Sequence, residues 1–304
     1  MSTTMDNTPA SPTLLRPLGW IGRIVLTTTS YLGEAVLLAF GAAGWAIRPE
    51  RDRALGLPSF ALTTARQLSW MLAYGIPLVG VVHVGMGSFL AMQAYYGSTF
   101  MDGTGAVVGV GLLRNLGGMM SGMILAALLA TRMIPELRRL RCLLWADDAE
   151  GPWPATLRLV APRLAAAAIA CPLLSLWGVV VGTVVGWQSA VSMMGLPSKT
   201  FFMMMLKMMW FRDVVGLVIK GILFGLVPAA ICCHEALRRG FREPDPCLDP
   251  ATLHADAGAP LATPVFRATF LGVLSILIVS MSWFMLVYHA VPFYGPTLLK
   301  PPSP

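Results

Sequence analysis

The sequence carries very little charge for its length. Only 12% of its 304 residues are charged, whereas soluble domains carry roughly 25%. By contrast, 56% of the residues are hydrophobic, and the mean hydropathy is +0.69. So few charged side chains are not enough to cover the surface of a water-soluble domain of this size. The composition therefore excludes a water-soluble core and indicates an integral membrane protein.

Residues that bind metals or nucleotides are also scarce. The five cysteines are an odd number, which argues against a disulfide framework, and no cysteine or histidine pair has the spacing of a structural zinc site. Cys232-Cys233-His234 comes nearest, and we interpret it as packing at a helix end. The sequence contains no Walker A motif, no protease or hydrolase motif and no nucleic-acid-binding motif. If ATP drives this protein, another subunit binds it.

What the sequence does contain is six long apolar runs. They cover residues 24–47, 68–92, 103–131, 164–187, 214–233 and 268–292. A run of about 18 apolar residues is long enough to cross hydrocarbon. The first run differs from the others, because it carries Glu34 and lies beside Arg23, so we expect an elbow helix at residues 20–47 that lies in the membrane interface. The predicted fold is therefore an all-α integral membrane protein with an elbow helix and five transmembrane helices.

The positive charges lie on one alternating set of connections. Sixteen of the 22 lysines and arginines fall before the second run, between the third and fourth runs, or between the fifth and sixth. The positive-inside rule assigns these connections to the cytoplasm. With five crossings, the N-terminus is predicted inside and the C-terminus outside. If the elbow helix crossed the membrane instead, the distribution of cations would distinguish the two topologies only weakly. Glu34 is therefore the main reason for placing this helix in the interface.

The runs leave no room for a soluble domain. Residues 1–17 are rich in proline, serine and threonine and are predicted to be a disordered tail, residues 18–292 form one membrane domain, and residues 293–304 form a C-terminal tail. The largest cytoplasmic connections have about thirty residues, below the roughly 40 that usually need a metal or disulfides to fold alone. Segment 201–211 is too short to cross and too apolar to be solvated, so it is predicted to be an outer interfacial helix.

Charged residues inside the apolar runs are the first candidates for function, because a cation in hydrocarbon is costly. Arg114 lies about ten residues into the third run. Lys220 is the second such cation and shares a helical face with Asp213. Two cations suit a lipid phosphate, but a structural ion pair with Asp213 or Glu34 is an alternative, as is a bond from Arg114 to the outer interface or a carbonyl. We interpret His83 as a packing residue.

Four motifs occur in a characteristic order. They are Gln93-Ala94-Tyr95, Leu112-Leu113-Arg114-x-Leu116-Gly117, Pro162-Arg163 followed by Pro172-Leu173-Leu174, and Asp213-x5-Ile219-Lys220-x3-Phe224-Gly225. In these motifs the chain resembles the MlaE/YrbE-type permeases, the membrane subunits of bacterial ABC transporters that move lipids with MCE-domain proteins. The resemblance runs from about the elbow helix to about Val287, and the fourth motif is the most specific.

The resemblance implies a permease that moves phospholipids between the bacterial inner membrane and the cell envelope, as a homodimer or heterodimer with a lipid-sized cavity between its copies. A cytoplasmic ATPase would bind ATP and Mg, so this chain would bind no cofactor and no metal and have no catalytic site, and a periplasmic MCE-domain protein would exchange the lipid. The implied substrate or cavity residues are Arg114, Asn115, Gln93, Lys220 and Asp213. The implied ATPase-coupling residues are Glu136, Arg138, Arg139 and Arg141.

The chain departs from this pattern where the family couples to its ATPase. Gly118 stands where a proline is usual, Asn115 where an acid is usual, and Ala127-Leu128-Leu129 where Ala-Gly-Arg is usual. Glu136 keeps its acidic position, but an atypical Pro135 precedes it. We therefore expect a divergent member with an altered docking surface for its ATPase.

The alternative is a secondary carrier, or a membrane subunit without ATP coupling. Carriers usually have acids within the membrane and repeated halves, whereas Glu34 is the only acid well inside an apolar run, and no internal repeat is evident. A stand-alone enzyme acting on lipid headgroups is disfavoured, because the four histidines are scattered along the chain.

Overall fold

The structure is a computed structural model that describes residues 15–46, 59–97, 104–145, 153–237 and 259–289. Across these ranges the chain is helical apart from short connections, and its elements include no β-strand. The predicted all-α fold is therefore confirmed. The predicted tails lie outside the described residues, except that the first helix already begins at Leu15.

Eight α-helices and two π-helical segments make up the described part of the chain. The α-helices are α1 (Leu15–Ala46), α2 (Phe60–Gly97), α3 (Thr104–Gly111), α4 (Gly117–Trp145), α5 (Trp153–Met194), α6 (Ser198–Met208), α7 (Phe211–Leu237) and α8 (Ala259–Trp283). A π-helical segment, Leu112–Leu116, joins α3 to α4, and another, Phe284–His289, continues α8.

Five helical segments of the described chain are long and apolar enough to cross a membrane. They are Phe60–Ala94, Thr104–Leu140, Leu157–Met193, Phe211–Leu237 and Ala262–Val287. These correspond to the second to sixth apolar runs, and α1 is not among them, so the count of five is confirmed. The helices extend past the apolar runs, because a helix continues into the interface wherever its sequence has no stop signal.

The centre of the bundle is formed by α4, α5 and α7. Each of these helices packs against the other two, while α2 covers α5, and α8 covers α4 and α7. The central helices bury the most surface, whereas α8 is largely exposed. Because lipid tails are as apolar as the helices, such a bundle depends on close packing rather than on hydrophobic burial.

Glycines permit the closest approach in the bundle, between α2 and α5. A Cβ on Gly87 would overlap the carbonyl oxygen of Gly182, and a Cβ on Gly178 would lie 2.6 Å from the His83 ring. His83 fills this notch, and its Nδ1 donates to the carbonyl oxygen of Val79 at 2.8 Å. The predicted packing roles of the glycines and of His83 are both confirmed.

Helix α1 docks against α5 and α7 through polar as well as apolar contacts. Glu34 Oε2 accepts a hydrogen bond of 2.8 Å from His234 Nε2, and the Tyr31 ring packs edge-on against His234 with 4.5 Å between the ring centroids. Buried Glu235 pairs with Arg267 at 3.6 Å. Burial, together with the Glu235 carboxylate, raises the pKa of the Tyr31 hydroxyl, so this hydroxyl stays protonated. Glu34 thus fastens α1 to the end of α7.

The short helix α6 lies between the third and fourth spans, as predicted for segment 201–211. It packs on α3, where a Cβ on Gly105 would overlap the Phe201 backbone and a Cβ on Gly109 would overlap the Met205 side chain. Phe201 is fully buried there. The contact fixes the segment just before α7 against the start of the second span.

Two neighbouring glycines of α2 give a matched test of the close helix contact. We expect Gly87→Ala to lower the free energy of unfolding by about 1–3 kcal/mol, because the added methyl group pushes α2 away from the Gly182 backbone. Gly85 has no atom within 4 Å of its added Cβ, so Gly85→Ala should leave stability unchanged or raise it, since alanine is the better helix former. Thermal unfolding in one detergent measures both, and equal melting temperatures would contradict the packing argument.

Candidate functional site

The second span contains a wide turn at Leu112–Leu116. There the Gly117 N–H donates to the Leu112 carbonyl oxygen, five residues earlier, instead of four as in an α-helix. A Cβ on Gly117 would lie 2.6 Å from Val179 Cγ2 and 2.7 Å from the Leu112 oxygen, so only glycine fits this position. Single π-turns of this kind interrupt the α-helical hydrogen-bond ladder and are frequent at functional sites.

Arg114 lies in the middle of the wide turn and reaches the start of α7. Its Nε is 3.1 Å from Asp213 Oδ2, and its Nη2 donates to the Met208 carbonyl oxygen at 3.2 Å. The Arg114 side chain is about one-third exposed, while Asp213 is fully buried. Arg114 therefore bonds to a carbonyl and to an acid at once, which combines two of the alternatives that the sequence left open.

Asp213 is held by its own backbone surroundings. Its Oδ2 also accepts the Trp210 N–H at 3.1 Å, and its N–H donates to the Trp210 carbonyl oxygen at 2.9 Å. Asp213 lies in the first turn of α7, where the helix dipole favours a negative charge. The carboxylate is therefore fixed before any ligand binds.

Lys220 lies two turns further along α7 and is 2% exposed. Its Nζ donates to the backbone carbonyl oxygen of Arg114, within the wide turn. The described ion pairs join Asp213 to Arg114 and Glu34 to His234, while the Asp213 carboxylate also acts on the Lys220 charge through space. Lys220 therefore caps a backbone carbonyl group within the π-turn.

Among the described interactions, neither of the other two predicted cavity residues bonds to this group, although Asn115 lies in the same turn as Arg114. Asn115 is exposed, and its Oδ1 accepts a hydrogen bond of 3.3 Å from Ser280 of α8. Gln93 is exposed near the end of α2 and has no contact with Arg114, Asp213 or Lys220 among the described interactions. Sequence reasoning missed Trp210 and Met208, which contribute only backbone groups and therefore carry no residue-type signal.

We call Arg114, Asp213 and Lys220 the charged cluster. It joins the second and fourth spans, and its two cations exceed its one acid. A net positive group of this kind attracts an anion such as a phosphate, and the partial exposure of Arg114 leaves the cluster accessible from one side. Geometry therefore makes the cluster the best candidate for substrate contact.

The predicted coupling residues lie at the opposite end of the bundle. Glu136 Oε1 accepts a hydrogen bond of 2.5 Å from Arg163 Nη2 and one of 3.4 Å from Gln67 Nε2. Arg163 is 3% exposed and also donates to the Leu159 carbonyl oxygen at 2.7 Å. Glu136 thus ties α4 to α5 and α2, which is a structural role that the sequence did not reveal.

The three coupling arginines differ in what they offer a partner. Arg138 is half-buried, Arg139 is exposed, and the side chain of Arg141 lies outside the described residues. Arg139 is therefore the arginine best placed to contact another protein, and its role in coupling stays a prediction.

Comparison with known proteins agrees with this architecture. Residues 64–243 match the family model described as Permease MlaE. A probable ABC transporter permease protein of Rickettsia typhi is 25% identical over 231 residues, which cover 75% of this chain and 86% of the relative. Similar proteins with the same description in Rickettsia prowazekii and Rickettsia bellii are 25% and 24% identical over the same shares of each chain. The matched segment includes α4 to α7 and the whole charged cluster.

A double-mutant cycle tests the link between the second and fourth spans. We expect Asp213→Asn to lower the free energy of unfolding by roughly 2 kcal/mol, because two cations lose their buried counter-charge while the shape is kept. Arg114→Gln in the Asp213→Asn background should cost less than it does alone, since its partner is already absent. Thermal unfolding of the four proteins gives the coupling energy, and strictly additive losses would contradict a direct interaction.

Proposed function

The chain belongs to the MlaE permease family and is an ABC transporter permease, and from this premise we propose that it moves phospholipids between the inner membrane and the cell envelope. The supporting observation is the charged cluster, which sets a net positive group among apolar helices. A phospholipid has the complementary chemistry, with an anionic phosphate on apolar chains. Arg114 would contact the phosphate, while Asp213 and Lys220 would hold Arg114 and its backbone in place.

The proposed transporter needs other subunits. A cytoplasmic ATPase would bind ATP and Mg, because this sequence contains no nucleotide-binding motif, and the chain itself would bind no cofactor and carry no catalytic site. A second permease copy would complete the lipid cavity, and a periplasmic MCE-domain protein would give or receive the lipid. The N-terminus would lie in the cytoplasm and the C-terminus in the periplasm, as the positive-inside rule predicts.

The ATPase would dock at the end of the bundle that carries most of the cations. We call it the cation-rich end, and its described arginines include Arg132, Arg138, Arg139, Arg158 and Arg163. Exposed Arg139 would contact the ATPase, and Glu136 would transmit the contact, because it links α4 to α2 and α5. Helix α4 runs from this end toward the charged cluster and would carry a movement of the docked end to it.

The alternative is a secondary carrier or a membrane subunit without ATP coupling. A carrier binds its coupling ion at acids inside the membrane. Within the five spans Asp213 is paired with Arg114, Glu136 with Arg163 and Glu235 with Arg267, and Glu34 on α1 is bonded to His234. These acids hold the fold together, which favours the ATP-coupled permease.

Co-purification tests the proposed assembly. The tagged chain, expressed from its native operon and extracted in mild detergent, should recover an ATPase and an MCE-domain protein together with phospholipid. Arg139→Gln should reduce recovery of the ATPase, since it removes an exposed charge-assisted contact, without affecting the MCE-domain protein. Recovery of the wild-type chain without either protein and without lipid would contradict the proposal.

Lipid transfer by the reconstituted complex tests the role of the charged cluster. We expect Arg114→Gln to slow phospholipid transfer about tenfold or more, because a charge-assisted contact to phosphate is worth roughly 1.5–3 kcal/mol. Gln188→Ala is the control, since Gln188 is exposed on α5 and is not among the predicted site residues, and its transfer rate should change less than about twofold. Equal transfer rates for the two variants, with complex assembly unchanged, would show that Arg114 does not contact the substrate.

A further inference from the structure

A second feature of the bundle is an apolar groove between α2 and α4, which the proposed function does not use. Its volume is about 410 Å³. The groove is lined by Leu78, Val82, Met123, Ile124, Ala127, Leu128 and Thr131. The residues from α4 follow one helical face, and from Met123 to Thr131 they span roughly 12 Å at 1.5 Å per residue. An extended hydrocarbon chain fits a groove of this length and chemistry.

The groove ends at an arginine. Arg132 follows the last lining residue of α4, and its guanidinium lies 4.6 Å from the Trp70 ring centroid and 5.9 Å from that of Tyr74. Tyr74 is one helical turn from Leu78 of the groove wall, and Arg132 is one turn from Leu128. The groove therefore leads directly to a cation that is held over two aromatic rings.

Arg132 is exposed and forms no ion pair with an acid of the described residues. The two rings fix the guanidinium by cation–π contact, which orders the side chain without neutralising its charge. Arg132 is thus an ordered, positively charged group at the end of an apolar groove.

Charge decides which occupant fits this arrangement. A helix from a second copy of the chain would cover the groove but would leave the Arg132 charge against an apolar surface, which is costly. A neutral lipid would fill the groove without meeting the charge. An anionic phospholipid satisfies both parts, because its chain is apolar and its phosphate accepts hydrogen bonds from a guanidinium.

We propose that the α2/α4 groove binds an anionic phospholipid of the surrounding bilayer, with an acyl chain between α2 and α4 and the phosphate on Arg132. The site differs from the charged cluster, because Arg132 lies eighteen residues beyond Arg114 in the same span, roughly 27 Å along a helix. A lipid bound there would hold α2 and α4 together at the cation-rich end. The site does not depend on which cargo the protein transports.

Native mass spectrometry of the purified permease alone tests the site. The probes are dioleoyl phosphatidylglycerol, which is anionic, and dioleoyl phosphatidylcholine, which has no net charge. We expect Arg132→Gln to weaken retention of phosphatidylglycerol about fivefold or more and to leave phosphatidylcholine unchanged, since about 1 kcal/mol is lost per basic residue. Leu128→Trp fills the groove and should weaken retention of both lipids.

Two control variants make the result specific. Arg139→Gln removes an exposed arginine of the same helix away from the groove, and Leu277→Trp adds the same bulk to the exposed face of α8. Both should retain phosphatidylglycerol as the wild type does, and thermal unfolding checks that all four variants are folded.

Three results would overturn the proposal. Equal phosphatidylglycerol retention by Arg132→Gln and Arg139→Gln would exclude Arg132 as the phosphate contact. Equal retention by Leu128→Trp and Leu277→Trp would exclude the groove as the acyl-chain site. Loss of self-association in Leu128→Trp, with lipid retention unchanged, would assign the groove to a second copy of the chain. The experiment includes no ATPase, no MCE-domain protein and no transport step. A negative result would therefore contradict the groove site without contradicting the proposed function.

Discussion

The buried carboxylate of Asp213 is the contact on which the organisation of the bundle depends. It binds Arg114 of the second span and the Trp210 N–H, and so fixes the start of α7 against a turn in another helix. A buried acid is tolerated only when its charge is paired and its oxygens are hydrogen-bonded. The three-way contact meets this condition, and it places two cations of the membrane interior within one network.

The network in turn requires a helix that is not regular. The π-turn Leu112–Leu116 contains Arg114, whose carbonyl oxygen accepts the hydrogen bond from Lys220. Gly117 makes the turn possible because no side chain fits beside Val179 and the Leu112 oxygen. Close packing and polar contact are therefore coupled here, as expected where lipid offers no hydrophobic drive for helix association.

The two ends of the bundle hold their helices by different means. At one end the charged cluster joins the second and fourth spans. At the other end Glu136 joins α4 to α2 and α5, and the Glu34–His234 pair joins α1 to α7. Between them lie glycine contacts such as Gly87 on Gly182. The bundle is therefore held by polar contacts at both ends and by close backbone packing between them.

The sequence alone determined the fold class, the five spans and the residue types of the site. Apolar runs and the rarity of charge in them are local properties, and each crossing is set by its own composition. For the same reason Arg114, Asp213 and Lys220 stood out, because charges inside such runs are costly. The departure of Ala127-Leu128-Leu129 from the family pattern was also visible, though not its place in a groove wall.

Only the tertiary structure decided which groups meet. It paired Asp213 with Arg114, bonded Lys220 to the Arg114 carbonyl oxygen, and bonded Glu34 to His234. Most partners in the charged cluster are backbone groups, namely the carbonyl oxygens of Arg114 and Met208 and the Trp210 N–H. Every residue has a carbonyl oxygen, so no pattern of side chains in the sequence can predict which of these oxygens accepts a bond. Which carbonyl is within reach depends on how helices distant in sequence pack and on where one of them departs from the α-helical turn.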